Sequence, residues 1–318
     1  MLFKMIPSGP LLKEDVRLVL YKKGSKISTS VKVIGLIFLV LPRTSTSSQP
    51  SFTSECKMGT RRLGHGTNYH WTEDAELVDL SLPQELTPIP VTIRTELKSV
   101  KVNVHETALV VIDMQNDFCE KGGWLDSLGL DWEKDRAPIP PLKRLIPDLR
   151  RKGVKIIWVN WGNRKDLANM YPNQMWTSYN VGNGSGLGYG DLNKQGSPIL
   201  EKASWGSEVV EGLKVEQNQE DILVDKHRFS GFWDTPLDSI LKNFGIRNIL
   251  FAGVNTDQCV LHTLADANFL GYGCIMVKDC VATTSPDYCA DATFYNVKGS
   301  FGFLTNSDWV IEAFNKVE

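Results

Sequence analysis

The chain has little of several features that would place it in a specialised class. Its formal net charge is −2 and its isoelectric point is about 6.2, so no basic field points to nucleic acid or anionic lipid. Its six cysteines contain no C-x-x-C pair and no regular framework, which suits a reduced, intracellular protein better than a disulfide scaffold. The apolar run Val33–Leu41 is too short to span a bilayer.

Residues 1–57 differ in composition from the rest of the chain. They carry nine Lys or Arg against three acidic residues, and Ser/Thr-rich sequence follows the apolar run. We expect a basic, disordered leader without catalytic function, with Met58 as a possible internal start. A signal peptide fits poorly because the stretch before the apolar run is long, and a transit segment fits poorly because of Glu14 and Asp15. We expect a cytoplasmic protein, although the leader leaves organelle targeting or secretion open.

The rest of the chain alternates between strand-like and helix-like patterns. Residues 58–104 are polar and rich in proline, which predicts an extended N-terminal arm. Residues 105–318 contain six strand-like runs, namely Thr107–Asp113, Val154–Asn160, Asp221–Asp225, Asn248–Gly253, Gly273–Val277 and Gly299–Leu304. With helices between them, these runs predict an α/β domain: a doubly wound, mainly parallel six-stranded sheet with helices on both faces.

Two of the helical patterns carry specific expectations. Leu142, Leu145 and Leu149 recur at helical spacing, and we expect Pro147 to kink or shorten that helix. Ser307-Asp308 is predicted to cap the last helix of the chain.

Cys259 lies in a segment that favours a reactive thiol. A short apolar strand ends at Gly253, a polar turn follows, and Cys259 then opens an amphipathic helix. Unpaired backbone N–H groups and the helix dipole favour the thiolate at such a position. The alternative is a buried structural cysteine.

Polar groups follow four of the predicted strands. Asp113 ends the first, Asn160-Trp161 the second and Lys226 the third, and the turn before Cys259 follows the fourth. Since ligands bind beyond the carboxyl ends of parallel strands, we expect these groups to meet at one edge of the sheet.

These groups suit nucleophilic catalysis. A buried Asp113 can take the proton of Cys259, and Lys226 supplies positive charge for the thiolate and the charged intermediate. His262 lies three residues after Cys259 and is the competing base. We rank it second, because a helix residue one turn below a nucleophile more often packs inward.

Three motifs resemble the isochorismatase-like cysteine hydrolase superfamily. They are Asp113-Met114-Gln115-Asn116-Asp117-Phe118, Lys226, and Gly253-Val254-Asn255-Thr256-Asp257-Gln258-Cys259-Val260. The resemblance covers residues 105–316. It implies that Asp113 is the base, Lys226 the charge partner and Cys259 the nucleophile. It also implies a cis peptide between Val254 and Asn255, with the Asn255 and Cys259 amides as the oxyanion hole.

Further segments are similar to ureidoacrylate amidohydrolases within that superfamily. They are the run from Lys226 to Leu241, Gly122-Gly123-Trp124-Leu125 and Ser204-Trp205. The similarity implies that Phe229 and Ser230 line the substrate pocket, and Gln115, Asn160 and Trp161 are further candidates for substrate binding. Phe229 lacks the phenolic hydroxyl of that group, and the order Asn160-Trp161 also departs from it. Both departures bear on the exact substrate.

We therefore expect a cysteine-dependent amidohydrolase that cleaves a C–N bond of a small ureido or carboxamide substrate, with a ureidoacrylate-type substrate favoured. A catalytically silent binding module and an amidase of nicotinamidase type are the alternatives. Lys226 and Arg228 are expected to make the entrance of the site positive, which favours an anionic N-carbamoyl substrate.

No cofactor is expected, and no metal, because no histidine lies between His105 and His227 to supply a ligand after the second strand. The expected partners are a small-molecule substrate and further copies of the chain in a homo-oligomer, with no nucleic acid and no membrane for the mature domain. Glycines at every second position from Gly182 to Gly190 indicate either a lid or a solvent-exposed loop.

Overall fold

A computed structural model describes residues 19–22, 25–28, 60–65, 70–81, 87–184 and 186–317. The chain divides into two units, Met1–Cys56 and Lys57–Glu318. In the first, strands β1 (Val19–Lys22) and β2 (Ser25–Ser28) pair antiparallel. The remainder of the predicted leader lies outside the described residues. Every helix in the described part of the chain is too short or too polar to cross a bilayer.

The second unit begins with two small antiparallel sheets in the region predicted as an extended arm. The first contains β3 (Arg61–Leu63), β4 (Trp71–Glu73) and β5 (Val78–Asp79). The second pairs β6 (Pro90–Ile93) with β7 (Val100–Asn103). Val91, Ile93 and Val102 are buried in the main hydrophobic core, so the second hairpin is packed against the domain.

A six-stranded parallel sheet forms the centre of this unit. Its strands are β8 (Thr107–Ile112), β9 (Lys155–Trp161), β10 (Ile222–Lys226), β11 (Asn248–Val254), β12 (Gly273–Ala282) and β13 (Phe303–Thr305). They lie in the order β10-β9-β8-β11-β12-β13, and each neighbouring pair is parallel. The predicted six-stranded parallel sheet is confirmed, and its winding direction reverses between β8 and β11.

Helices flank this sheet. They are α1 (Asn116–Cys119), α2 (Trp124–Ser127), α3 (Ile139–Arg151), α4 (Pro172–Gly184), α5 (Glu211–Lys214), α6 (Leu237–Asn243), α7 (Leu261–Phe269), α8 (Asp287–Asn296) and α9 (Ser307–Asn315). Short 3₁₀ turns lie at Val104–Glu106, Trp132–Arg136 and Trp205–Ser207, and π-helical turns at Thr256–Val260 and Val297–Phe301.

Three local predictions differ from the structure. Pro147 does not shorten α3, because the apolar face of that helix is fully buried and its packing outweighs one missing hydrogen bond. The cap of α9 is Asn306, whose side chain accepts from the Trp309 N–H at 2.9 Å, rather than Ser307-Asp308. The last strand begins at Phe303 because the preceding residues continue α8 as a π-helical turn.

Gly253 brings β11 against β8 immediately before the polar turn. It pairs with Ile112 and has φ of +115°. A Cβ at this position would lie 1.9 Å from the Ile112 carbonyl oxygen, so no side chain fits. The glycine therefore sets the spacing between the ends of the two central strands.

We predict that Gly253→Ala destabilises the protein by about 2–5 kcal/mol, through backbone strain and a clash with a neighbouring strand. Gly271→Ala is the matched control, because Gly271 also has positive φ (+93°) but a Cβ there meets nothing within 4 Å. Urea unfolding of both variants measures the difference. Equal losses of stability would show that the contact with β8 does not constrain the fold.

Candidate active site

Three side chains from separate strands meet at the carboxyl edge of the sheet. Lys226, the last residue of β10, places its Nζ 2.8 Å from Asp113 Oδ2 and 3.3 Å from Cys259 Sγ. Asp113 directly follows β8, and Cys259 lies in the π-helical turn after β11. The Asp113 and Lys226 side chains are fully buried, and Cys259 is 3% exposed. Lys226 therefore contacts both of the other groups predicted to do the chemistry.

The backbone at Asp113 takes an uncommon conformation that turns its carboxylate toward the cluster. Its φ is +51°, a left-handed value that Asp tolerates better than most residues. The Gln115 side chain pins this turn to β9, since Oε1 accepts from the Trp161 N–H at 2.7 Å and Nε2 donates to the Trp161 carbonyl at 2.8 Å.

The Lys226 ammonium is satisfied by its surroundings. Besides Asp113, it donates to the Arg228 carbonyl at 3.2 Å and lies 3.8 Å from the centre of the Trp161 ring. A buried ammonium is tolerated only with such partners, because removal from water costs several kcal/mol.

Burial sets the protonation of the other two groups. It raises the pKa of Asp113, although the neighbouring Lys226 charge opposes the shift. Burial also raises the pKa of the Cys259 thiol, again against the Lys226 charge. The raised pKa favours the thiol form of Cys259 at rest, unlike the sequence-based expectation of a thiolate favoured by a helix terminus. A carboxylate with raised pKa beside it is the group able to take its proton.

The turn that carries Cys259 is fixed by bonds to neighbouring segments. The Val254–Asn255 peptide bond is cis. The Asn255 side chain accepts from the Thr284 N–H at 3.0 Å, and the Thr263 hydroxyl donates to the Cys259 carbonyl at 2.6 Å. These contacts tie the turn to the loop after β12 and to α7.

A pocket of about 470 Å³ opens above Cys259. It is lined by Phe118, Trp124, Leu125, Trp161, Thr177, Ser178, Val181, Tyr189, Phe229, Asn255, Gln258, Cys259 and Thr284. The predicted site residues Trp161, Phe229, Asn255 and Cys259 are thus brought together around one cavity.

Other predicted site residues lie outside the lining. Val254 is buried at the end of β11. Gln115 uses its side chain on backbone groups of neighbouring segments. Asn160 is buried and, by strand alternation, lies on the opposite face of β9 from Trp161. Ser230 is buried and accepts from the Phe232 N–H at 3.2 Å.

His262 is exposed, its Nδ1 lies 2.7 Å from the Gln258 carbonyl oxygen, and it does not line the pocket. Its ring packs against that of Phe229, with the ring centroids 5.9 Å apart.

The expected positive entrance is absent, because both of its cations are engaged elsewhere. Lys226 is fully buried against Asp113. The Arg228 guanidinium is 3.2 Å from Asp234, donates to Gln174 at 2.7 Å and lies over the Tyr171 ring. Its charge is therefore balanced at the base of α4 and does not face the pocket.

Part of the pocket wall comes from segments that sequence reasoning did not assign to the site. The glycine-rich segment ends α4 and continues to Tyr189, which is 5% exposed and lines the cavity. The Asp117 carboxylate holds this region together by accepting from the Trp124 N–H, the Asn193 side chain and the Leu200 N–H. The Gly122-Gly123-Trp124-Leu125 motif and the alternating glycines from Gly182 to Gly190, interpreted as either a lid or an exposed loop, were the local signals for this wall.

Within the described ranges, His, Cys, Asp and Glu side chains form no group of three or more that could hold a metal ion. The reactive groups that the described residues bring together here are a thiol, a carboxylate and an ammonium.

Comparisons with known proteins identify the family and the fold. A sequence profile for the isochorismatase domain matches residues 107–308. The chain is 34% identical to a ureidoacrylate amidohydrolase of Rhizobium rhizogenes, over 70% of this chain and 88% of that protein. A second ureidoacrylate amidohydrolase, from Serratia proteamaculans, is 30% identical over 69% of this chain and 87% of its own.

A crystal structure of a cysteine hydrolase from Pseudomonas syringae superposes with a TM-score of 0.57 at 23% identity, over 71% of this chain and 97% of that one. An isochorismatase-like hydrolase from Alkaliphilus metalliredigens gives a TM-score of 0.52 at 24% identity, over 66% and 99%. These structures share the fold. With a profile match over more than half of its length, the chain belongs to the isochorismatase family.

Proposed function

We propose that this protein is a cysteine-dependent amidohydrolase that cleaves a C–N bond of a small ureido or carboxamide substrate. The observation that carries the proposal is the buried contact of Lys226 with both Asp113 and Cys259, next to a pocket that Cys259 lines. The relatives named ureidoacrylate amidohydrolases support a ureidoacrylate-type scissile group.

The first half of the reaction forms a covalent intermediate. Cys259 Sγ attacks the substrate carbonyl carbon while its proton passes to the Asp113 carboxylate, and the carbonyl electron pair moves onto oxygen. The Asn255 and Cys259 amides receive this oxyanion, a contribution worth about 3–4 kcal/mol per donor in comparable sites. Lys226 balances the negative charge of the cluster at this stage.

The second half releases the products. The tetrahedral intermediate collapses, the C–N bond breaks, and Asp113 returns the proton to the leaving nitrogen. The acyl group, which is a carbamoyl group for a ureido substrate, stays on sulfur. Asp113 then takes a proton from water as the water oxygen attacks the carbonyl carbon of the thioester or, for a carbamoyl group, of the thiocarbamate. The C–S bond breaks and Asp113 returns the proton to the departing sulfur, which regenerates the thiol and the carboxylate.

We predict that Cys259→Ala and Cys259→Ser lose nearly all turnover of ureido and carboxamide substrates. Asp113→Asn and Lys226→Ala should each reduce turnover by at least about 100-fold, because a positioned proton acceptor and its charge partner are removed. Rates are to be expressed per folded protein, since breaking a buried ion pair also destabilises the fold by about 3–5 kcal/mol.

The matched control for these variants is His262→Ala, which removes an exposed ring outside the pocket and should have a small effect. Near-wild-type turnover by folded Cys259→Ala, as a catalytically silent binding module would predict, contradicts the proposal. A loss at His262 equal to that at Asp113 would instead reassign the base.

We predict that activity does not depend on a metal ion. Prolonged dialysis against a strong chelator should leave kcat/KM unchanged, because the described residues offer no cluster of metal ligands. A loss that is restored by adding Zn²⁺, Mn²⁺ or Fe²⁺ would contradict this prediction and favour an amidase of nicotinamidase type.

A further inference from the structure

The walls of the pocket combine five aromatic side chains with uncharged polar and aliphatic ones, and none of the lining residues is Lys, Arg, Asp, Glu or His. Four ring contacts connect the aromatic side chains: Phe118 with Trp124 at 6.3 Å, Trp124 with Tyr189 at 5.8 Å, and Trp161 with both Tyr189 and Phe229 at 5.8 Å. A substrate above Cys259 therefore meets aromatic rings over part of its surface and no charged side chain of the lining.

Most polar groups in these walls are already turned toward protein acceptors. The Trp124 indole donates to the Leu187 carbonyl at 3.0 Å, and the Trp161 indole donates to Asn163 at 2.7 Å. The Thr177 and Ser178 hydroxyls donate to carbonyls of their own helix at 2.7 and 2.8 Å. These side chains thus present mainly apolar surface to a ligand.

The two cations expected to make the entrance positive are both paired with carboxylates. Lys226 and Asp113 neutralise each other in full burial, and Arg228 is paired with Asp234. A substrate carboxylate would lose hydration here without gaining an ammonium or guanidinium partner, which is unfavourable.

Tyr189 is the exception among the buried polar side chains of the wall. Within the described residues no hydrogen bond is formed by its hydroxyl, although the residue is only 5% exposed. Burial raises its pKa well above the usual value, and the nearby Cys259 and Asp113 raise it further. The phenol therefore stays protonated and can donate an O–H hydrogen bond.

We propose that this pocket selects a substrate whose non-scissile part is uncharged and apolar or aromatic, and that the Tyr189 hydroxyl hydrogen-bonds its amide or ureido group. The proposal rests on the proposed amidohydrolase function and specifies its substrate class. It assigns to Tyr189 the phenolic contact that Phe229 cannot make.

The first test compares hydrolysis of 3-ureidopropionate and its methyl ester by the full-length protein. We expect kcat/KM to be at least about tenfold higher for the ester, equivalent to about 1.4 kcal/mol in the transition state. Equal values, or a preference for the acid, would overturn the uncharged-substrate assignment while leaving the amidohydrolase function intact.

A second test does not depend on turnover. Iodoacetamide and iodoacetate both alkylate thiols, and mass spectrometry identifies modification at Cys259. For each thiol, the rate with iodoacetamide is divided by the rate with iodoacetate. We expect this ratio to be about tenfold higher for Cys259 than for N-acetylcysteine methyl ester. A preference for iodoacetate would overturn the assignment of an uncharged substrate. Failure to hydrolyse any of the amides tested would contradict the proposed function, and the alkylation result would still test the charge of the pocket.

The third test addresses Tyr189. Tyr189→Phe keeps the ring contacts and removes the hydroxyl, so kcat/KM for the ester should fall by about 3- to 10-fold, as expected for one neutral hydrogen bond. Tyr288→Phe, at a residue 71% exposed, is the control. Unchanged kcat/KM in folded Tyr189→Phe would overturn the role of this hydroxyl.

Discussion

The site depends on one buried ion pair. Lys226 and Asp113 lie 2.8 Å apart with no solvent exposure, and neither charge could remain there without the other. Their pairing leaves the centre nearly neutral while holding an ammonium 3.3 Å from the Cys259 sulfur. Because burial raises the pKa of the Cys259 thiol and favours its protonated form, proton transfer to Asp113 accompanies the first step of the proposed reaction.

The parallel sheet fixes the positions of the strand ends that carry this ion pair and the cysteine. Winding reverses between β8 and β11, so Asp113 and the turn carrying Cys259 emerge side by side. Gly253 permits the close approach of the two strands, and Gln115 fastens the end of β8 to that of β9. Gly253 acts through its backbone, and Gln115 acts through two side-chain hydrogen bonds to backbone groups of Trp161. Together they fix the ends of the three strands relative to one another.

The pocket walls come from the connections between strands. Asp117 binds groups from α2 and from the long segment between β9 and β10, which places Trp124 and Tyr189 above the thiol. The reactive groups lie at the ends of strands, whereas the surface that recognises the substrate lies on the segments that connect the strands. Proteins with this fold can therefore keep the same chemistry while their pockets differ. The uncharged aromatic wall is therefore a property of this chain's connections.

Sequence by itself determined the sheet and the reactive edge, because strand periodicity and the polar residue after each strand are local signals. The identities of Asp113, Lys226 and Cys259 follow from those signals and from the family motifs. Tertiary structure decided which charges reach the pocket. Arg228 follows Lys226 by two residues, yet its guanidinium turns to Asp234, while Tyr189 arrives from a segment with weak helical patterning. The net charge and polarity of a cavity depend on ion pairs and hydrogen bonds between residues that are distant in the chain. Local sequence patterns do not predict these contacts.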